Sequence, residues 1–84
     1  MKVRPIENKG ELRFLILTLL GDMQDAFTMS DLIDVVFENE AFNMFCSKEK
    51  LQEEVSEVIE AAWEANVIAH YPDFSEVQKY IVVT

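Results

Sequence analysis

Residues 47–66 read S-K-E-K-L-Q-E-E-V-S-E-V-I-E-A-A-W-E-A-N, and no other stretch constrains the fold as strongly. Leu51, Val55, Val58, Ile59 and Ala62 recur at spacings of three and four, which marks one face of an α-helix. Glu49, Glu53, Glu57, Glu60 and Glu64 fall within an arc of about 80° on the opposite side. A helix with one apolar stripe must bury it against other elements, so the rest of the chain has to supply a cover. Ser47 has the chemistry of an N-cap, and Glu49 suits the positive end of the helix that follows. Asn66 tolerates the left-handed conformation that ends a helix.

The cover comes from both sides of this helix. Residues 1–9 read as an extended arm, because Pro5 biases Arg4 away from helix. The periodicity predicts a first helix over residues 10–22. Leu12, Leu15, Ile16, Leu19 and Met23 share one face, with Leu20 flanking them. Phe14 and Leu17 lie on the other side, so this helix is apolar nearly all round and is either central or makes a second contact. Thr28-Met-Ser-Asp31 has the spacing of a capping box. A second helix is expected from there to about residue 40, with Leu32, Val35 and Val36 inward. Residues 41–46, A-F-N-M-F-C, lie between two helix signals and are placed in a turn. After the third helix, V-I-A-H-Y, P-D-F-S-E and V-Q-K-Y-I-V-V-T read as strand, turn and strand. The expected fold class is therefore α+β, mostly α. One domain spans residues 1–84, with an arm (1–9), a three-helix core (10–66) and a C-terminal β-hairpin (67–84).

Composition narrows the function. Half of the 84 residues are hydrophobic, enough for one folded domain with a modest core. The net charge is −9 and unevenly spread. Residues 1–13 carry four cations against two acids, and residues 14–84 carry three cations against fourteen acids. Such a body repels phosphate backbones and anionic membrane surfaces. The apolar run at residues 14–20 is too short to span a bilayer, and no signal peptide is read. Cys46 is the one cysteine, which excludes an internal disulfide and fits a reducing, cytoplasmic setting. His70 is the one histidine and has no partner for a metal site, no serine has a base arrangement, and no glycine-rich phosphate loop exists. The chain reads as a non-enzyme with no cofactor.

The residues F-T-M-S-D-L-I at 27–33, A-N-V-I-A-H-Y at 65–71 and Y-I-V-V-T at 80–84 carry a resemblance to the winged-helix branch of helix-turn-helix domains. That resemblance implies that Phe27 begins a short first strand. It makes residues 47–65 the recognition helix and residues 72–76 the wing tip, with Phe74 at its end. Pairing through the first helix, common in the family, would use Phe14 and Leu17 as a dimer seam. The helix that normally enters the major groove here carries acids instead. The sharpest expectation is a small acidic protein-binding module that meets a basic protein surface through Glu49, Glu53, Glu57, Glu60 and Glu64. Small acidic proteins of this kind resemble phage- or plasmid-encoded regulators and inhibitors of nucleic-acid machines. Glutamates one turn apart sit roughly 5–6 Å from each other, a spacing comparable to that of DNA phosphates. Trp63, on the shoulder of the ridge, packs beneath the hairpin or serves as a hot spot. Phe42 and Phe45 either cap the core or form a docking patch. Two alternatives stand beside this one. The first is a DNA-binding dimer using Lys2, Arg4, Lys9, Arg13, Lys48 and Lys50. The second is a structural adaptor subunit.

Overall fold

The computed structural model describes residues 4–70 and 78–83. Three helices precede an antiparallel pair of short strands: α1 (Lys9–Gly21), α2 (Met29–Glu38), α3 (Lys48–Glu64), β1 (Ile68–His70) and β2 (Tyr80–Val82). The α+β, mostly helical class expected from the pattern is what forms.

Each helix begins where a side chain satisfies its orphan amides. At α1 the cap is Asn8, whose Oδ1 accepts from the Glu11 amide at 2.9 Å, so the helix starts one residue before the expected position. At α2 the capping box closes in both directions. Thr28 Oγ1 accepts from the Asp31 amide at 3.1 Å, and Asp31 accepts from the Thr28 amide at 3.0 Å. Ser47 caps α3 by accepting from the Lys50 amide at 3.2 Å. That helix ends in a Schellman turn. Asn66 takes φ 62°, its amide donates to the Trp63 carbonyl, and the Val67 amide donates to the Ala62 carbonyl. The turn aims the chain directly into β1.

In the strand pair, Ile68 lies opposite Val82, Ala69 opposite Ile81 and His70 opposite Tyr80. On the other edge of β2, Phe27 exchanges two backbone hydrogen bonds with Tyr80, at 2.9 and 2.8 Å. Phe27 thus adds a one-residue rung just ahead of α2, in the place expected for a short first strand. The expected wing tip, residues 72–76 with Phe74, lies outside the described residues.

The core joins all of these elements. Leu12, Ile16 and Leu20 of α1, Leu32, Ile33 and Val36 of α2, and Leu51, Val55, Val58, Ile59 and Ala62 of α3 are buried together with Phe27, Phe42 and Ile68. The α3 stripe is as expected. The other two stripes need correction. In α1, Leu20 is fully buried, whereas Leu15, Leu19 and Met23 are only partly buried, because the helix presents its i, i+4, i+8 row to its neighbours. In α2, Ile33 takes the inward place assigned to Val35, which is exposed; Leu32, Ile33 and Val36 share a face, and Val35 is turned off it. This helix also stops at Glu38, where Asn39 takes extended backbone and its Oδ1 accepts from the Ala41 amide at 2.9 Å.

The segment after α2 is a turn, but a structured one. The Ile6 amide donates to the Ala41 carbonyl at 2.8 Å, pinning the N-terminal arm to it. Asn43 and Met44 both take left-handed backbone, with φ 44° and 54°. That reversal sends Phe42 inward, where it is completely buried, and leaves Met44 and Phe45 at the surface. Phe42 is therefore a core residue and not a docking residue.

Candidate protein-binding surface

The spacing that made α3 amphipathic also displays its acids. Glu49, Glu53, Glu57, Glu60 and Glu64 are all exposed on the side away from the core. They are not electrostatically equivalent. Glu57 accepts from the Arg13 guanidinium of α1, and Glu53 lies 3.5 Å from Lys50. Glu49, Glu60 and Glu64 have no ion-pair partner among the described residues. The ridge thus has an edge at Glu57 neutralised by α1, and an outer strip in which Glu53 is paired within the helix while Glu49, Glu60 and Glu64 stay free.

The sixth glutamate of the helix behaves differently again. Glu54 sits beside the apolar stripe with only 3% of its side chain exposed. Its oxygens lie 3.3 Å from Lys9 Nζ and 3.3 Å from Arg13 Nε, with Lys50 Nζ at 3.9 Å. Burial pushes its carboxyl pKa upward, but hydrogen bonds from Lys9 and Arg13 and the charges of both outweigh that push, so the net displacement is downward. Glu54 fastens the N-terminal half of α1 to α3. The sequence reading passed over it. The available signal was the position of Glu54 on the shoulder of the stripe, together with Lys9 and Arg13, two cations one turn apart at the start of a mostly apolar helix.

The same pairing extends to the remaining described cations of the DNA-binding alternative. Arg4 donates to Glu11 at 3.0 Å, and Lys48 lies 3.2 Å from Asp34. Arg4, Lys9, Arg13, Lys48 and Lys50 each face a carboxylate of the same chain. Lys2 lies outside the described residues.

An aromatic cluster flanks the free strip. The Trp63 ring lies 4.8 Å from that of His70, and His70 lies 5.6 Å from Tyr80 in an edge-on arrangement. Tyr80 continues the row to Phe27 at 6.0 Å. The Gln78 amide nitrogen sits 2.7 Å from His70 Nδ1. Trp63 packs its ring against His70 of β1, as one of its two expectations had it, and still keeps 50% of its surface exposed. Between this row, α3 and the start of α2 lies an open groove of about 250 Å³ with Met29 and Ile59 on its lining and Glu60 at its rim.

Two other expected surfaces are present but distant from this one in character. Phe14 is 72% exposed on α1 and, with Ile6, Leu15, Thr18 and Ala41, lines an apolar groove of about 460 Å³; Leu17 is exposed beside it and borders a separate recess with Arg13 and Glu57. Phe45 is exposed next to Met44, but Phe42 is lost from that patch. Cys46 is partly buried. Burial and the nearby Glu54 charge raise its thiol pKa against a smaller opposing effect from Lys50, which disfavours the reactive thiolate. Among the described residues, no group of three His, Cys, Asp or Glu side chains could hold a metal ion, and no helix is long and apolar enough to cross a membrane. Comparison with protein-family models, curated proteins and solved structures gave no match, so the surface is read from its geometry alone.

Proposed function

We propose that this chain is a winged-helix-type protein-binding module that docks on the basic surface of a nucleic-acid-handling protein and regulates it, in the manner of small phage- or plasmid-type regulators. The observation that carries this reading is the division of charge. The described cations of the alternative DNA-binding patch face carboxylates of the same chain, while Glu49, Glu60 and Glu64 on the outer side of α3 are left unpaired. A protein that binds DNA needs cations free to displace counterions from phosphate. Here that displacement would first require breaking pairs such as Arg13–Glu54. The placement of Phe27 beside β2, ahead of α2 and α3, supports the winged-helix description. In that arrangement α3 stands where the family's groove-reading helix stands. No catalytic step is assigned to the module.

The test is capture of partners from a host lysate by the tagged chain and by a Glu49→Lys, Glu60→Lys, Glu64→Lys variant. The reading predicts a salt-sensitive partner with a basic surface that the wild type retains and the variant loses. Equal capture by both would reduce the strip to a solvated face.

A second reading draws on a separate observation. The exposed Phe14 and its apolar groove favour a homodimer seam or scaffold contact through α1. Sedimentation of the wild type and a Phe14→Ser variant distinguishes the two: a concentration-dependent dimer lost in the variant supports the seam, and a monomer in both removes it.

A further inference from the structure

The groove between α3, the start of α2 and the strand pair has the composition of a site for one cationic side chain. It offers an indole with half its surface exposed, a row of rings behind it, two apolar side chains and one free carboxylate at the rim. We infer that this groove is the anchor for a single arginine of the partner, an inference that rests on the docking surface proposed above and specifies its centre. A planar guanidinium stacks on aromatic rings and is less strongly hydrated than an ammonium, so it suits a site that is part ring and part carboxylate. Its aliphatic stem lies along Met29 and Ile59, and its head reaches Trp63 and Glu60. Glu60 has no cation within ion-pair distance among the described residues, so an incoming arginine displaces no internal partner. At about 250 Å³ the groove falls below the roughly 300–1,000 Å³ usual for small-molecule sites, which fits one side chain better than a cofactor.

Trp63 is the chain's one tryptophan, so its fluorescence reports on this groove directly. Hexa-arginine and hexa-lysine peptides are titrated into the wild type, Trp63→Leu and Glu60→Gln chains at matched low ionic strength, with calorimetry alongside fluorescence. Both substitutions fall on exposed positions, and circular dichroism confirms folding. The expected result is a Trp63 emission change with hexa-arginine and tighter binding of it than of hexa-lysine. Each variant should weaken hexa-arginine about five- to thirtyfold, as loss of one desolvated cation–π or ion-pair contact implies. Calorimetric binding with unchanged Trp63 emission and unchanged affinity in Trp63→Leu overturns the anchor but leaves the acidic docking surface standing. Equal affinity and equal emission change for the two peptides overturn the choice of arginine. No calorimetric binding of either peptide overturns the docking surface and the anchor together.

Discussion

Two flanks of α3 carry the same residue type to opposite ends. On the flank against α1, Glu54 is buried and held by Lys9 and Arg13, and Glu57 takes the remaining reach of the same arginine. On the outer flank, Glu49, Glu60 and Glu64 point at solvent with no cation among the described residues. The difference lies in what packs alongside. A net charge of −9 therefore understates the contrast across the surface, since most described cations are spent on the α1 side and on the helix starts. One flank fixes the fold, and the other carries the acids of the proposed docking surface.

The largest effect should come from the held flank. Glu54→Ala removes the carboxylate that joins α1 to α3. The stranded cations are partly exposed and turn to water, so the cost stays below that of a fully buried pair, at about 2 kcal/mol, or roughly 10 °C in a domain this small. Glu60→Ala on the outer flank should move stability by no more than about 0.5 kcal/mol. Thermal melts of the two variants compare the flanks directly, and equal losses would erase the distinction.

Acid unfolding sharpens it. Glu54 in the folded chain titrates below the ordinary glutamate value of 4.5, so the unfolded chain takes up this proton first as pH falls. Its contribution is full above the ordinary value and is lost as pH drops through the lowered one. Urea midpoints measured across this acid range should fall less steeply for Glu54→Gln than for the wild type. Parallel curves would show that Glu54 is not held as described.

Glu57 is an intermediate case. It is paired but exposed, so Glu57→Ala should cost only about 0.5 kcal/mol, a loss that added salt diminishes. Smallest of all is the change from reversing Glu49, Glu60 and Glu64 to Lys. Relief of like-charge repulsion along the helix is opposed at Glu49 by the loss of a carboxylate from the positive first turn, so the two nearly cancel and the melting temperature should move by no more than the equivalent of a few tenths of a kcal/mol. A large loss of stability in that variant would mean that the outer flank also serves the fold.

The features legible in the sequence were those set within one turn of the chain. Thr28 with Asp31, Ser47 with Lys50 and the left-handed Asn66 are all decided by residues at most four apart. The third-helix stripe is decided the same way, because its spacing alone names the buried face. What escaped depends on distant partners or on small rotations. Glu54 meets Arg13 across 41 positions, and no local pattern couples them. Val35 and Ile33 differ by two positions on α2, and only its seating against α1 and α3 decides which is inward. Phe42 and Phe45 have nearly the same local context, and the left-handed pair between them separates core from surface. The candidate surface was therefore readable as a ridge of acids, but not as a ridge with one neutralised edge and an aromatic groove along the other.

Under the proposed winged-helix reading, α3 presents free negative charge where a DNA-binding member of that family would meet nucleic acid. This central claim is tested most directly by anisotropy of a labelled random DNA duplex at low salt, titrated with the wild type and with the Glu49→Lys, Glu60→Lys, Glu64→Lys chain. The account predicts no binding by the wild type and measurable, salt-sensitive binding by the reversed chain. Tight binding of the duplex by the wild type, weakening steeply as salt rises, would contradict it.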